Sequence, residues 1–137
     1  MERMSWLGEV YRSSGNTVFA RIPPKNFDRV MENACRKTGG RISSISSRDT
    51  GKQIEVIYTF ILEHHILNVK VELSATSPRI PTITNLFPGA ALYEKENHEM
   101  FGVAFEGNPD LKGVLLDESS PRTPLRKRPG SKEEMHE

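Results

Sequence analysis

Thiols, imidazoles and carboxylates do most side-chain chemistry, and this sequence offers few of them at useful spacing. Cys35 is the single cysteine among 137 residues. No CxxC pair is available for zinc or an iron–sulfur cluster, and no intramolecular disulfide can form. At helical spacing Cys35 shares a stripe with Val30, Met31 and Ala34, which reads as a buried small hydrophobe rather than a reactive thiol. His64 and His65 are adjacent, but consecutive side chains of an extended segment point to opposite faces, so the pair reads as a solvated turn. His98-Glu99 opens like a zincin motif, yet Gly102 stands where the second histidine belongs.

Glu94 and His98 lie four apart, a spacing at which a carboxylate and an imidazole meet on a helix as an acid–base couple. Spacing places neither a nucleophile nor a third ligand beside them, so a surface or interface pair is the favoured reading. No GxGxxG fingerprint, GK[ST] phosphate loop or GxSxG elbow occurs. The expectation is a chain with no catalytic, cofactor-binding or metal-binding residues of its own.

Arg122, Arg126, Lys127 and Arg128 form a basic cluster able to touch phosphates. It lacks interleaved aromatics for base stacking, and Glu133 and Glu134 dilute its field, so nucleic acid is not the expected partner. The whole chain carries a net charge of only +1 with 27% charged residues, a balance that names no partner. The strongest apolar run, Val56 to Leu62, is far shorter than the roughly 20 residues of a membrane-spanning helix. Met1 to Val10 holds Glu2, Arg3 and Glu9 and lacks the apolar core of a secretory signal, which points to an intracellular protein.

The elements that hold these residues are readable from pattern. Thr17 to Ile22 reads as a short strand ended by Pro23-Pro24. A helix should follow, with Asn26 as its cap, Asp28 in its first turn, Arg36 and Lys37 in its last and Gly39-Gly40 as its stop. Arg41 to Arg48 reads as a polar strand. Ile54, Val56, Tyr58, Phe60 and Leu62 alternate, and so do Leu67, Val69, Val71 and Leu73, which predicts two antiparallel strands with one wet face. Ser77 to Pro81 and Phe87-Pro88 read as proline-punctuated loop before a second helix from Gly89 to Phe101, stopped by Gly102. The predicted fold class is α+β: an antiparallel meander with helices packed on one face, and an extended C-terminal tail. Residues 1–116 form the single domain, and the polar, proline-punctuated residues 117–137 form a partner-docking tail.

On a helical wheel Ala90, Tyr93, Asn97, Met100 and Phe101 gather on one side of the second helix, which should face the sheet. Leu92, Lys95, Glu96 and Glu99 gather on the other. Glu99 sits in the last turn, where its charge opposes the helix dipole at a cost of a few tenths of a kcal/mol. An arginine on a partner would offset that cost.

The run Glu94-Lys95-Glu96-Asn97-His98-Glu99-Met100-Phe101-Gly102 resembles the signature of the complex I thirty-kilodalton (C) subunit family. Pro81 to Ala90 is similar to that family's approach to the helix, Phe105-Glu106-Gly107-Asn108-Pro109-Asp110-Leu111-Lys112 to its F-E-G-H-P-D-L-R run, and Pro124-Leu125-Arg126-Lys127 to its terminal P-L-R-K. The resemblance covers about Ile54 to Lys127 and is densest from Pro81 to Leu116.

That resemblance implies an α+β unit without cofactor, packed on a large hydrogenase-like subunit and neighbouring iron–sulfur subunits. Iron–sulfur clusters, and nickel–iron in some members, would reside in those partners. The complex would sit on the cytoplasmic side of the cell membrane. Glu94, Lys95, Glu96, Glu99, Asn108, Pro109, Asp110, Leu111, Pro124, Leu125, Arg126 and Lys127 are the implied partner-facing residues. Lys95 replaces a usual arginine, which loses bidentate carboxylate recognition. Asn108 replaces a common histidine, Gly113 a basic residue, and Arg128 the aspartate found in quinone-linked members. These departures resemble the ferredoxin-linked, ion-translocating [NiFe] hydrogenase branch more than the NADH–quinone branch. A free-standing module with a basic tail is the remoter alternative.

Overall fold

A computed structural model describes residues 6–108 and Leu111. The elements run β1 (Glu9–Ser14), β2 (Thr17–Ile22), α1 (Phe27–Thr38), β3 (Ser44–Asp49), β4 (Gln53–Leu62), β5 (His65–Ser74), β6 (Arg79–Pro81), α2 (Ala90–Phe101) and β7 (Ala104–Glu106). This is the α+β class expected, and the boundaries of β2, α1, β4, β5 and α2 follow the sequence patterns closely.

The main sheet has the order β1-β2-β5-β4-β3. Its pairings are antiparallel except β2 with β5, where Val18 lies opposite Leu67 and Ile22 opposite Val71. The arrangement is therefore not the simple meander expected. After β2 the chain crosses over through α1 to the far edge and builds β3, β4 and β5 as consecutive hairpins, which returns β5 to the flank of β2. A parallel pair needs such a crossover because a tight turn cannot make it.

One face of the sheet is apolar by alternation. Val18, Ala20 and Ile22 of β2, Ile54, Val56, Tyr58 and Phe60 of β4, and Leu67, Val69 and Val71 of β5 are all buried. Phe27, Val30, Met31 and Ala34 of α1 meet that face, with the Phe27 and Tyr58 rings 5.4 Å apart between centroids. Fully burying aliphatic or aromatic side chains contributes about 1.5–3 kcal/mol each, and this face is the main source of stability.

Local signals act with one exception. Gly39 takes φ 74° and its N–H bonds Cys35 O at 2.9 Å, closing α1 in the left-handed geometry that glycine adopts without penalty. Asn26 occupies the cap position but its side chain makes no capping bond. A 3₁₀ turn over Pro24–Asn26 precedes the helix, so the chain enters already coiled rather than from the extended geometry that side-chain capping uses. The β4–β5 hairpin closes through Glu63 and His64, since Leu62 pairs with His65. The turn expected at the two histidines thus holds only His64, which is exposed, while His65 opens β5 and is half-buried.

Three strands, β1, β6 and β7, are additions to the expected set. β1 is an almost wholly exposed edge strand whose sequence EVYRSS carries little apolar alternation, and a register irregularity between Val10 and Arg12 interrupts it. β6 lies inside the segment expected to be loop and pairs in parallel with β7, Ile80 opposite Phe105. Three residues ending in proline give too short a run for periodicity to register. This small sheet nonetheless frames the candidate site.

Candidate functional site

The signature helix α2 leans on the edge strand β3. Asn97 Nδ2 donates to Ile45 O at 2.8 Å and to Tyr93 O at 2.7 Å, and Ser47 Oγ donates to Asn97 Oδ1 at 2.5 Å. A buried amide thereby satisfies an edge carbonyl that no neighbouring strand reaches.

Glu94 lies one turn earlier and is 0% exposed. Its carboxylate accepts from Thr82 Oγ1 at 2.6 Å, Ile83 N at 2.9 Å and Asn108 Nδ2 at 2.8 Å. These donors come from the segment after β6 and from the turn after β7. Thr82 N also bonds Glu106 O at 2.8 Å, so both segments are tied to each other and to α2. Burial raises the Glu94 carboxyl above its ordinary range, and the three hydrogen bonds oppose that rise. Tyr58 is pushed well above the usual phenol range by burial and by the Glu94 charge.

This geometry dissolves the Glu94–His98 couple suggested by spacing. Glu94 turns inward to its three donors, while His98 Nδ1 lies 2.9 Å from Val103 O beyond the helix end. Among the described residues no group of three or more His, Cys, Asp or Glu side chains is placed to hold a metal ion. Cys35 lies half-buried with its Sγ 3.3 Å from Leu86 O.

Lys95, Glu96 and Glu99 are exposed, on the outer side of α2 as expected. Glu94, Asn108 and Leu111 correct the expectation of partner-facing side chains: Asn108 is 2% and Leu111 0% exposed, and all three serve the interior. For Glu94 the reason is that α2 sits in a corner between β3 and the β6–β7 pair, which buries a wider arc than one apolar stripe. Met100 is a second correction, since at 44% exposure it joins Leu92, at 62%, on the outer face. Pro109, Asp110, Pro124, Leu125, Arg126 and Lys127 lie outside the described residues, as does the tail over 117–137. Sequence reading missed Thr82 and Ile83 as partners of Glu94; the only available signal was the hydroxyl and amide content of a proline-bounded loop.

The family described as respiratory-chain NADH dehydrogenase, 30 Kd subunit, matches residues 20–134. The chain belongs to that family. An NADH-quinone oxidoreductase C-type subunit from Roseiflexus castenholzii is 38% identical over 111 residues, covering 80% of this chain and 59% of its own. The equivalent protein from Novosphingobium aromaticivorans is 36% identical over 88 residues, covering 63% of this chain and 28% of its own. This chain thus spans less than two thirds of the length of these relatives.

Two solved structures share the fold. A trypsin-resistant fragment of Nqo5 superposes with a TM-score of 0.70 at 22% identity, covering 80% of this chain and 94% of that one. A chain of the membrane-bound sulfane sulfur reductase, an archaeal respiratory membrane complex, superposes with a TM-score of 0.68 at 25% identity, covering 91% and 78%. The 30 Kd family is one of subunits of multisubunit oxidoreductases, and among the described residues no helix of this member is long and apolar enough to cross a membrane.

Proposed function

We propose that this 30 Kd family member is a non-catalytic assembly subunit in the peripheral arm of a membrane-bound, ion-translocating oxidoreductase. It docks on the large hydrogenase-like subunit and beside iron–sulfur subunits, and it leaves electron carriage to them. The observation that carries this reading is the outer row of α2, where Leu92, Glu96 and Met100 follow one another at four-residue spacing with Lys95 and Glu99 alongside, all exposed. An apolar–acidic–apolar row fits a partner surface that presents a basic side chain between two apolar ones. Residues 117–137, with Leu125 beside Arg126 and Lys127, extend the same docking role.

The branch proposed is the ferredoxin-linked type related to energy-converting [NiFe] hydrogenases. It is supported by Lys95, Asn108, Gly113 and Arg128 at positions where quinone-linked members differ, and by the likeness over 91% of the chain to part of an archaeal respiratory complex that reduces sulfane sulfur. A second reading, the equivalent place in an NADH–quinone oxidoreductase, is favoured by the names of the relatives in Roseiflexus and Novosphingobium. Sequencing the subunits that co-purify with the tagged chain separates the two. Paired CxxC motifs in the large subunit support the hydrogenase-related branch, and their absence moves the assignment to a quinone or another acceptor.

A further inference from the structure

Both helices pack on the apolar face of the main sheet, and among the described residues no helix or strand covers the other face. A wet face is ordinary for an antiparallel sheet when its side chains are polar. Here only the middle row fits that pattern, with Thr59 Oγ1 donating to Asn68 Oδ1 at 2.8 Å and Asn68 Nδ2 to Val18 O at 3.4 Å. Toward the β4–β5 hairpin the face is apolar: Ile61 and Ile66 lie directly opposite each other, 59% and 41% exposed. Phe19 lies beside Asn68 in the next row, and the Tyr11 ring is 6.3 Å from it between centroids.

The register irregularity between Val10 and Arg12 brings Tyr11 and Arg12 onto this same face, as a bulge does when it sets neighbouring residues on one side. Arg12 Cζ then stands 5.4 Å from the centre of the Phe19 ring, and Arg21 Cζ 4.9 Å from that of Tyr11. Lys70 is paired, since Glu55 takes it at 3.5 Å and Arg48 at 3.6 Å. Among the described residues no carboxylate pairs with Arg12 or Arg21, and Arg21 Nε is buried without an acceptor. Glu9, opposite Arg21, is exposed at the sheet edge, and Glu72 stands one row farther from the isoleucines. The free acids thus lie at one end of the face, and the arginine–ring–isoleucine surface at the other.

We infer that this open sheet face is a second docking surface, and that its occupant is a segment of a partner protein with a carboxylate for Arg12 and Arg21 and an apolar side chain for Ile61 and Ile66. This rests on the assembly reading above and adds to it a surface separate from the α2 row. Charge complementarity selects the occupant: the two arginines carry charge that only aromatic rings balance, and a carboxylate pairs with guanidinium by strong charge-assisted hydrogen bonds. Stacking on Tyr11 and Phe19 holds both guanidinium groups in place, so less freedom is lost when the acid arrives. Arg21 lies opposite Lys70, four residues along β5 from Ile66, which sets the carboxylate and the apolar anchor of the partner roughly 13 Å apart.

The test uses the full-length tagged chain in its own cell, with the photoreactive residue p-benzoylphenylalanine in place of Ile66 or, for the α2 row, in place of Leu92. Irradiation of the intact complex should join position 66 to a segment of another subunit that carries Asp or Glu, identified by mass spectrometry of the cross-linked peptide. Arg12→Glu and Arg21→Glu should each lower recovery of that subunit several-fold, and Arg21→Lys should lower it less, since it keeps the charge and loses the fork. Replacing the identified acid with arginine should restore recovery by Arg21→Glu. The melting temperature of isolated Arg21→Gln should stay within about three degrees of wild type. A larger fall would place the acceptor of Arg21 inside the chain and overturn the inference. A cross-link from position 66 to lipid, to a second copy of this chain or to a segment without an acid overturns it too, as does no cross-link at all. Capture of the large subunit from position 92 in those cases leaves the assembly reading standing, and failure at both positions removes both.

Discussion

Asn97 on α2 donates its side-chain amide to the backbone carbonyl of Ile45 on β3 at 2.8 Å, joining the signature helix to the edge of the sheet across 52 residues of sequence. With the Ser47 hydroxyl on its oxygen and Tyr93 O on its nitrogen, this amide is well used. Asn97→Ala leaves the Ile45 carbonyl and the Ser47 hydroxyl without these partners. Each buried group left unpaired costs about 1–3 kcal/mol, so urea unfolding should show a loss of that size or more. A variant within experimental error of wild type would mean that water replaces the amide at no cost.

Tyr58 presents the reverse case. Its ring is fully buried against Phe27, yet its hydroxyl has no hydrogen-bond partner among the described residues. Tyr58→Phe keeps the packing and deletes the orphaned group. The variant should match wild type or exceed it by about 1 kcal/mol in thermal unfolding. A clear destabilisation would reveal a bond made by that hydroxyl.

The Glu94 carboxyl gives a pH signature with a definite sign. Burial raises its native-state value above that of the unfolded chain, so between the two values the native state binds more protons. Stability then falls as pH rises through that window and levels off above it. Glu94→Gln lacks this titration. The wild-type minus Glu94→Gln difference in unfolding free energy, measured by urea titration across a pH series, should decline with rising pH through the window. A difference that grows with pH would show that the hydrogen bonds outweigh burial and hold the carboxyl low.

The legible and illegible parts of this fold divide by the range of the forces involved. Tyr58 and Val71 announce buried strands because alternation is a local pattern, and Gly39 and Gly102 announce helix ends because a left-handed residue is a local requirement. The parallel β2–β5 pairing joins segments separated by a whole crossover, and no local pattern encodes it. The charge of Glu94 argues for an outward side chain, as for most ionised groups. Its burial depends on donors 11 to 14 residues away, including a backbone N–H. Met100 departs in the other direction: an apolar residue near the inner stripe is exposed because the corner that receives α2 is offset toward Glu94. Phe101, expected in the core, is half-buried, so its truncation should cost less than the full core penalty of about 3–5 kcal/mol.

On the proposed reading the outer row of α2 docks a partner and contributes little to the fold. Both halves are tested together by the melting curve of isolated Glu96→Lys and the recovery of the complex by the same tagged variant under mild detergent. Glu96 is exposed and its reversal touches no core contact, so the melting temperature should stay within a degree or two, as for surface changes of about 0.5 kcal/mol or less. Recovery of the large redox subunit should fall several-fold, because a like charge placed against a basic partner surface is repelled. Undiminished recovery of the large subunit by the folded variant would contradict the docking account of α2.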